Sequence, residues 1–197
     1  MEIKGRFVTL RAPRRDDMQF ICDMFNDPEL ENYVVGWAFP LSIDQQNAWY
    51  DKNMTDHNNF RFIIETPEDG VVGIATLTGI DWKNRSATHG IKLSLKERRT
   101  KGIGTDAVMA LQRYVFDELG LHRLDGSRYR FNVGSETLYK KCGWKDEGIK
   151  RDYAYKRGKW RDLIIMGLLE SDYREAAERM NYWDKADDYS GSSDEVE

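Results

Sequence analysis

The sequence predicts a single α/β domain, and three observations support this fold class. Three segments between residues 60 and 95 alternate apolar and polar residues and are separated by turn-forming sequences, which indicates a meander of strands. Apolar residues recur at helical spacing on both sides of that meander. The 197-residue chain contains no internal repeat and no linker that would divide residues 1–183 into two domains.

The N-terminal part of the chain predicts one strand followed by two helices. Residues 7–11 alternate like a strand. A first helix carries apolar residues at helical spacing and ends before Pro28, because a proline disfavours helical geometry in the residue before it. A second helix begins at Ser42, which forms a capping box with Gln45, and runs to about residue 55.

The meander consists of predicted strands at residues 60–65, 71–80 and 86–95. The first two strands are separated by Pro-Glu-Asp-Gly, which is a strong hairpin signal. Because successive side chains of a strand point to opposite faces, His89 shares a face with apolar residues of the third strand, and Thr88 lies on the other face.

The second half of the chain predicts a helix, a strand, a helix, a hairpin and a final helix. The first of these helices ends at Gly120, since glycine readily adopts the left-handed conformation of a helix end. Asn132 is suited to cap the next helix. The predicted ranges are 123–131 for the strand, 133–142 for the helix, 144–155 and 160–169 for the hairpin, and 171–183 for the last helix.

Charge and composition exclude several classes of protein. The formal net charge is −4, but residues 184–197 hold six acids and one lysine, a sum of −5, so the remainder is close to neutral. This gives no electrostatic case for binding nucleic acid or a membrane. The acidic tail has no apolar periodicity, and we expect it to be disordered.

The expected environment follows from the cysteines and from the absence of long apolar segments. Cys22 and Cys142 are too few for a disulfide framework, which favours free thiols in a reducing compartment. The N-terminus lacks the apolar run of a signal peptide, and no stretch approaches the ~20 apolar residues of a membrane span. We therefore expect a soluble, cytoplasmic protein.

A segment rich in glycine and basic residues lies between the third meander strand and the helix that follows. Residues 98–105 read R-R-T-K-G-I-G-T. The first turn of a helix exposes unpaired N–H groups and about half a positive charge, which suits a phosphate. Glycines let the backbone approach such a ligand closely. The groups expected to contact it belong to Arg98, Arg99, Lys101, Gly102, Gly104 and Thr105.

Taken alone, this segment leaves two interpretations open. It lacks the Gly-Lys-Ser/Thr ending of a P-loop and the third glycine of a dinucleotide fingerprint. Glycines in a basic turn are also commonly turn residues without a ligand. Sequence matches farther along the chain favour the phosphate interpretation.

These matches carry a resemblance to a known family. Residues 99–104 match the pattern Gln/Arg-x-x-Gly-x-Gly/Ala, with which the GNAT family of N-acetyltransferases binds the pyrophosphate of acyl-CoA. The match continues through N-x-x-S at 132–135, L-Y-x-K-x-G at 138–143 and G-x-W-x-D at 158–162. Over about residues 5–170 the chain resembles the ribosomal-protein-alanine acetyltransferase branch, the RimJ/RimL type.

The resemblance implies a mixed, mostly antiparallel sheet with flanking helices. Two central strands of this fold, here 91–95 and 123–131, splay apart, and the pantetheine of acetyl-CoA enters the gap. Besides residues of the glycine segment, the cofactor contacts that the resemblance implies are Leu93, Leu95, Ile103, Asn132 and Ser135.

The resemblance also implies direct transfer of an acetyl group to an amine. Tyr139 occupies the place of a tyrosine that acts as general acid toward the thiolate in many relatives, and a phenol of pKa ~10 suits that role. The alternative is a tyrosine that only packs in the helix. By resemblance, Asn132 and Ser135 bind pantetheine or lie near the sulfur, which makes Ser135 a catalytic candidate, while a plain helix cap is the alternative for Asn132.

The general base is less well defined. Thr88 stands where many relatives carry a glutamate, and His89 beside it titrates in a suitable range. A core histidine is the alternative for His89. Asp81 and Glu65 are weaker candidates, and a chain of water molecules without a dedicated base is also credible.

The acceptor amine is not defined by the motifs. Trp37, Phe39 and Thr88 are candidate substrate-binding residues, and branch resemblance favours the α-amine of a peptide or protein. The alternatives are a small-molecule amine (a polyamine, an aminoglycoside or an amino sugar) and a non-catalytic acyl-CoA sensor or scaffold. A polyamine pocket would need carboxylates, such as Asp44, Asp51, Asp56 and Glu65. We predict no metal site, and a homodimer would be an inference from relatives alone.

Overall fold

The computed structural model describes residues 2–36, 39–53, 56–94 and 102–183. Several residues that the sequence places at the site lie outside these ranges, and so does the tail at 184–197, whose disorder stays a prediction. These site residues are Trp37, Leu95, Arg98, Arg99 and Lys101.

Within the described residues, eight strands form one sheet in the order β1-β2-β3-β4-β5-β6-β8-β7. Only the pairing of β5 with β6 is parallel, and the other neighbours are antiparallel. The fold is therefore the mixed, mostly antiparallel sheet that the resemblance implies. The strands are β1 Glu2–Lys4, β2 Thr9–Arg11, β3 Phe60–Thr66, β4 Gly70–Asp81, β5 Ser86–Leu93, β6 Arg123–Tyr129, β7 Lys145–Lys156 and β8 Lys159–Leu169.

In the part of the chain that the structure describes, six α-helices flank the sheet on its two faces. A 3-10 turn at Arg15–Asp17 leads into the first helix, and the fourth continues into a π-helical turn at Tyr114–Glu118. The helices are α1 Met18–Phe25, α2 Pro28–Tyr33, α3 Ile43–Asn53, α4 Ile103–Arg113, α5 Val133–Lys141 and α6 Glu170–Arg179.

Most predicted elements are present, and the main addition is α2. The sequence pattern predicts Pro28 only as the end of a helix. In the structure Pro28 also begins α2, because proline is tolerated at the first helical position, where no N–H bond is needed. The Asp27 side chain caps this helix by accepting the N–H groups of Glu29 and Leu30.

The two faces of the sheet are covered by different helices. On one face α4, α5 and α6 pack into the main core, which contains Leu77 and Leu111, both fully buried. On the other face α1, α2 and α3 cover a smaller cluster around Ile63 and Ile74. A residue of the central strands therefore faces either the α4 side or the α1–α3 side.

A buried carboxylate fixes the start of α4. Asp106 is fully buried in the first turn, where a negative charge is favoured. Its oxygens accept the backbone N–H groups of Arg6, Phe7 and Val8 at 2.8 Å and the hydroxyl of Tyr182 at 2.8 Å. This one side chain joins the N-terminal and C-terminal segments to the end of the helix that borders the site.

The central strands separate after a short paired stretch. Ser86–Thr88 of β5 pair with Arg123–Asp125 of β6, and beyond these three residues the two strands form no further ladder. Both strands nevertheless continue, to Leu93 and to Tyr129. Their separation opens the sheet at its centre, as the resemblance implies.

Candidate active site

The opening between β5 and β6 continues into a cleft of about 940 Å³. Residues of β5 and β6, the start of α4 and one side of α5 line it, together with residues of α1 and α2 on the other side of the sheet. The cleft therefore passes between the α4 side and the α1–α3 side of the sheet.

The glycines predicted to hold a phosphate lie at the start of α4. Gly102 is the residue before the helix and has a φ of +76°, a conformation that favours glycine. A Cβ added at Gly104 would lie 3.3 Å from Leu138 Cδ2 and 3.4 Å from Leu93 Cδ1. Gly104 thus serves close packing of α4 against α5 and β5 and also keeps the backbone accessible.

Gly104 and Thr105, in the first turn of α4, line the cleft. The N–H groups of a first helical turn have no partner within the helix. Ile103 differs from its neighbours because its side chain is buried in the main core, so any contact with a cofactor would be made by its backbone. An anionic group fits this helix end on account of its N–H groups and its partial positive charge.

Asn132 and Ser135 meet at the start of α5. The Asn132 side chain accepts the N–H of Ser135 at 3.1 Å, so Asn132 caps the helix, as its alternative interpretation has it. Both residues also line the cleft. Capping and contact with a ligand are compatible, because the cap uses the amide oxygen and leaves the amide nitrogen out of that bond.

Tyr139, His89 and Trp144 form a buried aromatic cluster. Tyr139 is 6% exposed and His89 4%. The Tyr139 hydroxyl oxygen lies 3.3 Å from His89 Nδ1, and the two rings meet edge to face with centroids 5.7 Å apart. Trp144 packs against both rings, and its ring centroid lies 5.1 Å from that of Tyr139 and 5.3 Å from that of His89.

The cluster holds both titratable groups in their neutral forms. Burial lowers the pKa of His89 to about 3 and raises the pKa of Tyr139. His89 Nε2 is buried and has no hydrogen-bond partner among the described residues. These surroundings argue against His89 as the base and favour the core-histidine alternative, although its contact with Tyr139 was not expected from the sequence.

The aromatic residues that line the acceptor side of the cleft are not the ones that the sequence suggests. Phe39 is 90% exposed and is not among the described residues that line the cleft, so its role in substrate binding stays a prediction. Two residues farther along, Leu41 is fixed by Asn26, whose side chain accepts the Leu41 N–H and donates to its C=O. Tyr33 and Phe131 line the cleft instead, with ring centroids 5.9 Å apart.

Thr88, the third predicted acceptor residue, is exposed on β5 and lines the cleft. Tyr33 was missed because α2 was not predicted. Arg61 and Arg128 line the cleft from β3 and β6, and neither was predicted from the sequence. A basic residue inside an otherwise ordinary strand pattern was the only available signal for either.

Arg128 is a buried cation with local counter-charges. It is 4% exposed, and its Nη2 lies 3.0 Å from an oxygen of Asp146 and 3.4 Å from Glu136. These carboxylates neutralise it, so we assign it a structural role between β6, α5 and β7.

The described residues contain neither a metal-binding cluster nor a helix suited to span a membrane. No group of three or more His, Cys, Asp and Glu residues in that part of the chain is arranged to hold a metal ion. No helix within it is both long enough and apolar enough to cross a lipid bilayer.

Comparisons with known proteins identify the family. Residues 8–145 match the model of the acetyltransferase (GNAT) domain. Spermidine N(1)-acetyltransferase of Vibrio cholerae is 28% identical over 171 residues, which are 87% of this chain and 98% of that protein. The [ribosomal protein uS5]-alanine N-acetyltransferase of Escherichia coli is 25% identical over 114 residues, only 56% of this chain and 57% of that enzyme.

Solved structures give the same result. The crystal structure of spermidine N-acetyltransferase from Vibrio cholerae in complex with CoA and spermine superposes with a TM-score of 0.79 at 27% identity. The match covers 85% of this chain and 98% of that one. The spermidine enzyme is thus matched over far more of the chain than the ribosomal-protein enzyme. The chain belongs to the GNAT acetyltransferase family and is an N-acetyltransferase that uses acetyl-CoA.

Proposed function

We propose that the chain transfers the acetyl group of acetyl-CoA directly to the primary amine of a small molecule. The observation that carries this proposal is the opening between β5 and β6, which the first turn of α4 lines together with Tyr139. An anion-binding helix end and a buried proton donor on one cleft are what the reaction needs. A small-molecule acceptor agrees with the match to the spermidine enzyme, which covers 87% of this chain and 98% of that protein.

Tyr139 is the group best suited to return a proton at the end of the reaction. Acetyl-CoA supplies the activated acyl group and a thiolate as leaving group. Because burial raises the pKa of Tyr139, its hydroxyl stays protonated at neutral pH. The hydroxyl can then donate that proton when negative charge develops on sulfur.

His89 orients that hydroxyl. Its imidazole is neutral, so one ring nitrogen donates and the other accepts. With the proton on Nδ1, the ring donates to the Tyr139 oxygen and the phenolic proton is directed elsewhere, toward the cleft. The same Nδ1–H then stabilises the phenolate oxygen after proton transfer, and the proton that the attacking nitrogen loses to water restores the phenol. His89 is a positioning residue in this scheme.

The amine loses its proton to water in the scheme we propose. The described residues that line the cleft include no aspartate or glutamate, and Thr88 occupies the glutamate position of many relatives. The acceptor must therefore react from the fraction of molecules that arrives deprotonated. This agrees with the water-chain alternative and not with a dedicated base.

Release of the CoA thiol tests the proposal. Wild-type protein is incubated with acetyl-CoA and, separately, with spermidine, apolar amino acids, an amino sugar, an aminoglycoside and a peptide with a free α-amine. We expect amine-dependent release with at least one small molecule, and a product heavier by one acetyl group. Tight CoA binding without turnover of any amine, or turnover of the peptide alone, would contradict the proposal.

A further inference from the structure

We propose that the acceptor side of the cleft contains a subsite for a carboxylate, formed by Arg61 with support from Lys92, and that the acceptor is an amine carrying such a group on an apolar skeleton. This inference rests on the proposed function, since it assumes a small-molecule acceptor. It goes further by naming the chemical class of that acceptor.

Strand register places both cations on the α1–α3 side of the sheet. Ile63 and Ile74 are paired on β3 and β4, and both pack in the cluster under α1 and α2. Arg61 lies two residues from Ile63, and Lys92 is the β5 partner of Ile74. Because alternate residues of a strand share a face, Arg61 and Lys92 face α1–α3, and both line the cleft.

The donor phosphates would bind on the other side of the sheet. The start of α4 packs with the main core, as do the Tyr139 and Trp144 rings. Arg61 and Lys92 lie across the sheet from that helix end. Their charges are therefore placed to act on the acceptor and not on the pyrophosphate.

Arg61 is a desolvated cation without an ion pair in the described part of the chain. Its guanidinium carbon lies 4.3 Å from the centroid of the Trp49 ring. Burial lowers its pKa, and the charge of Asp56 offsets part of that effect. The Asp56 oxygens are engaged by the Asn58 N–H and the Asn59 side chain instead.

Lys92 adds a second positive charge in the same place. Burial and the charge of Arg61 lower its pKa to about 8. A carboxylate bound beside Arg61 would be attracted by both positive charges. The guanidinium is well suited to bind a carboxylate through two parallel N–H bonds.

The charges of the cleft disfavour a polycation. The described residues that line it include no acidic side chain, while Arg61 and Lys92 are basic and lie on the acceptor side. The other two basic lining residues are Lys141 of α5 and Arg128, whose charge is neutralised by nearby carboxylates. Spermidine would bring several positive charges next to Arg61 and Lys92 without a described lining carboxylate to bind them. Threonines of β4 and β5 line the cleft from the sheet, and the wall contributed by α1 and α2 is apolar or aromatic, which suits a hydrocarbon or ring beside the carboxylate.

Phenylalanine and phenylalaninamide form a matched pair of probes, because only the first carries a carboxylate. We expect wild-type kcat/KM to be higher for phenylalanine or another apolar amino acid than for its amide, and lowest for spermidine. Arg61→Met keeps an apolar stem against Trp49 and removes the charge. Loss of a charge-assisted hydrogen bond is worth about 1.5–3 kcal/mol, so kcat/KM for the acid should fall about 10- to 100-fold, mainly through KM.

Control variants separate the subsite from general damage. Arg61→Met should lower kcat/KM for the amide less than for the acid, and it should leave the Kd for CoA within about two-fold of wild type. Arg61→Lys should retain part of the activity toward the acid. Arg15→Met is the matched control, because Arg15 also stacks on an α3 ring, that of Tyr50, but does not line the cleft.

The outcomes distinguish this inference from the proposed function. Faster acetylation of spermidine than of any acid-bearing amine, with no loss in Arg61→Met, would overturn the subsite and leave the proposed function intact. An equal loss toward the acid and its amide would also overturn it. Absence of turnover with every small amine would overturn both. Selective loss toward the acid supports the subsite.

Discussion

Replacement of Tyr139 by phenylalanine tests the proposed chemistry at a single atom. The variant removes the hydroxyl and keeps the ring that packs against Trp144 at 5.1 Å and His89 at 5.7 Å. The main core around the ring should therefore stay intact. What is lost is one O···N contact of 3.3 Å, which is a long hydrogen bond.

The size of both effects follows from this geometry. The stability loss is at most about 1–3 kcal/mol, because His89 Nδ1 is left buried without a partner. For a chain of this size that lowers Tm by only about 2–4 °C per kcal/mol. Loss of general acid catalysis should lower kcat by about 100-fold or more.

The assay measures kcat with a saturating amine and, separately, the Kd for CoA. We expect a large fall in kcat with a Kd within about two-fold of wild type, because Tyr139 acts on the reaction and not on cofactor affinity. An unchanged kcat would remove Tyr139 from the mechanism. A loss of kcat matched by an equal loss of CoA affinity or of folded protein would show that the hydroxyl is structural.

Three further predictions follow from the buried charges and from the missing base. Burial lowers the pKa of His89 from 6.5 in the unfolded chain to about 3 in the folded one, so the stability that is present above pH 6.5 is lost as the pH falls toward 3, by about 2 kcal/mol at pH 5. Thermal melts of His89→Phe should therefore show a smaller loss of stability between pH 7 and pH 5 than wild type, and an equal loss in both proteins would contradict the effect. Asp106→Asn should lower the free energy of unfolding by about 3–5 kcal/mol in urea titrations, since the carboxylate accepts four hydrogen bonds, whereas a loss below ~1 kcal/mol would refute its structural role. The kcat/KM for the amine should rise about tenfold per pH unit up to the pKa of the free amine, and an additional inflection near the pKa of an enzyme group would instead indicate a dedicated base.

Strand and helix patterns made most of the fold predictable. The meander, the capping box of Ser42 with Gln45 and the helix after the glycine segment depend on local signals, and each is present in the structure. The α2 helix was missed because Asp27-Pro28 ends one helix and begins another within three residues. No local pattern distinguishes these two uses of proline.

The candidate site was predictable where it depends on motifs and unpredictable where it depends on tertiary contacts. Gly104, Asn132 and Tyr139 belong to recognisable spacings, and the structure brings them to one cleft. The contact between His89 and Tyr139 joins residues 50 positions apart, and burial decides the charge of both. Sequence pattern alone could not show that an ordinary histidine of β5 would be held neutral.

The acceptor side shows the same limit. Phe39 was predicted to bind the acceptor because it is aromatic. Its position depends on tertiary contacts nearby, such as the two hydrogen bonds between Asn26 and Leu41. Arg61 belongs to no motif. Its proposed role in binding a carboxylate depends on Lys92, which lies two strands away, and on the absence of acidic residues among the described residues that line the cleft. Such a site is defined by the sum of charges on one face of a sheet.

Detection of the acetylated product in a single turnover tests the central claim most directly. Protein loaded with one equivalent of acetyl-CoA is mixed with a small-molecule amine, and the amine and the protein are followed by mass spectrometry. We predict that the acetyl group passes to the amine, that the protein carries none at any time, and that Tyr139→Phe slows the transfer about 100-fold or more. An acetylated protein intermediate, or transfer at the wild-type rate in Tyr139→Phe, would contradict the account.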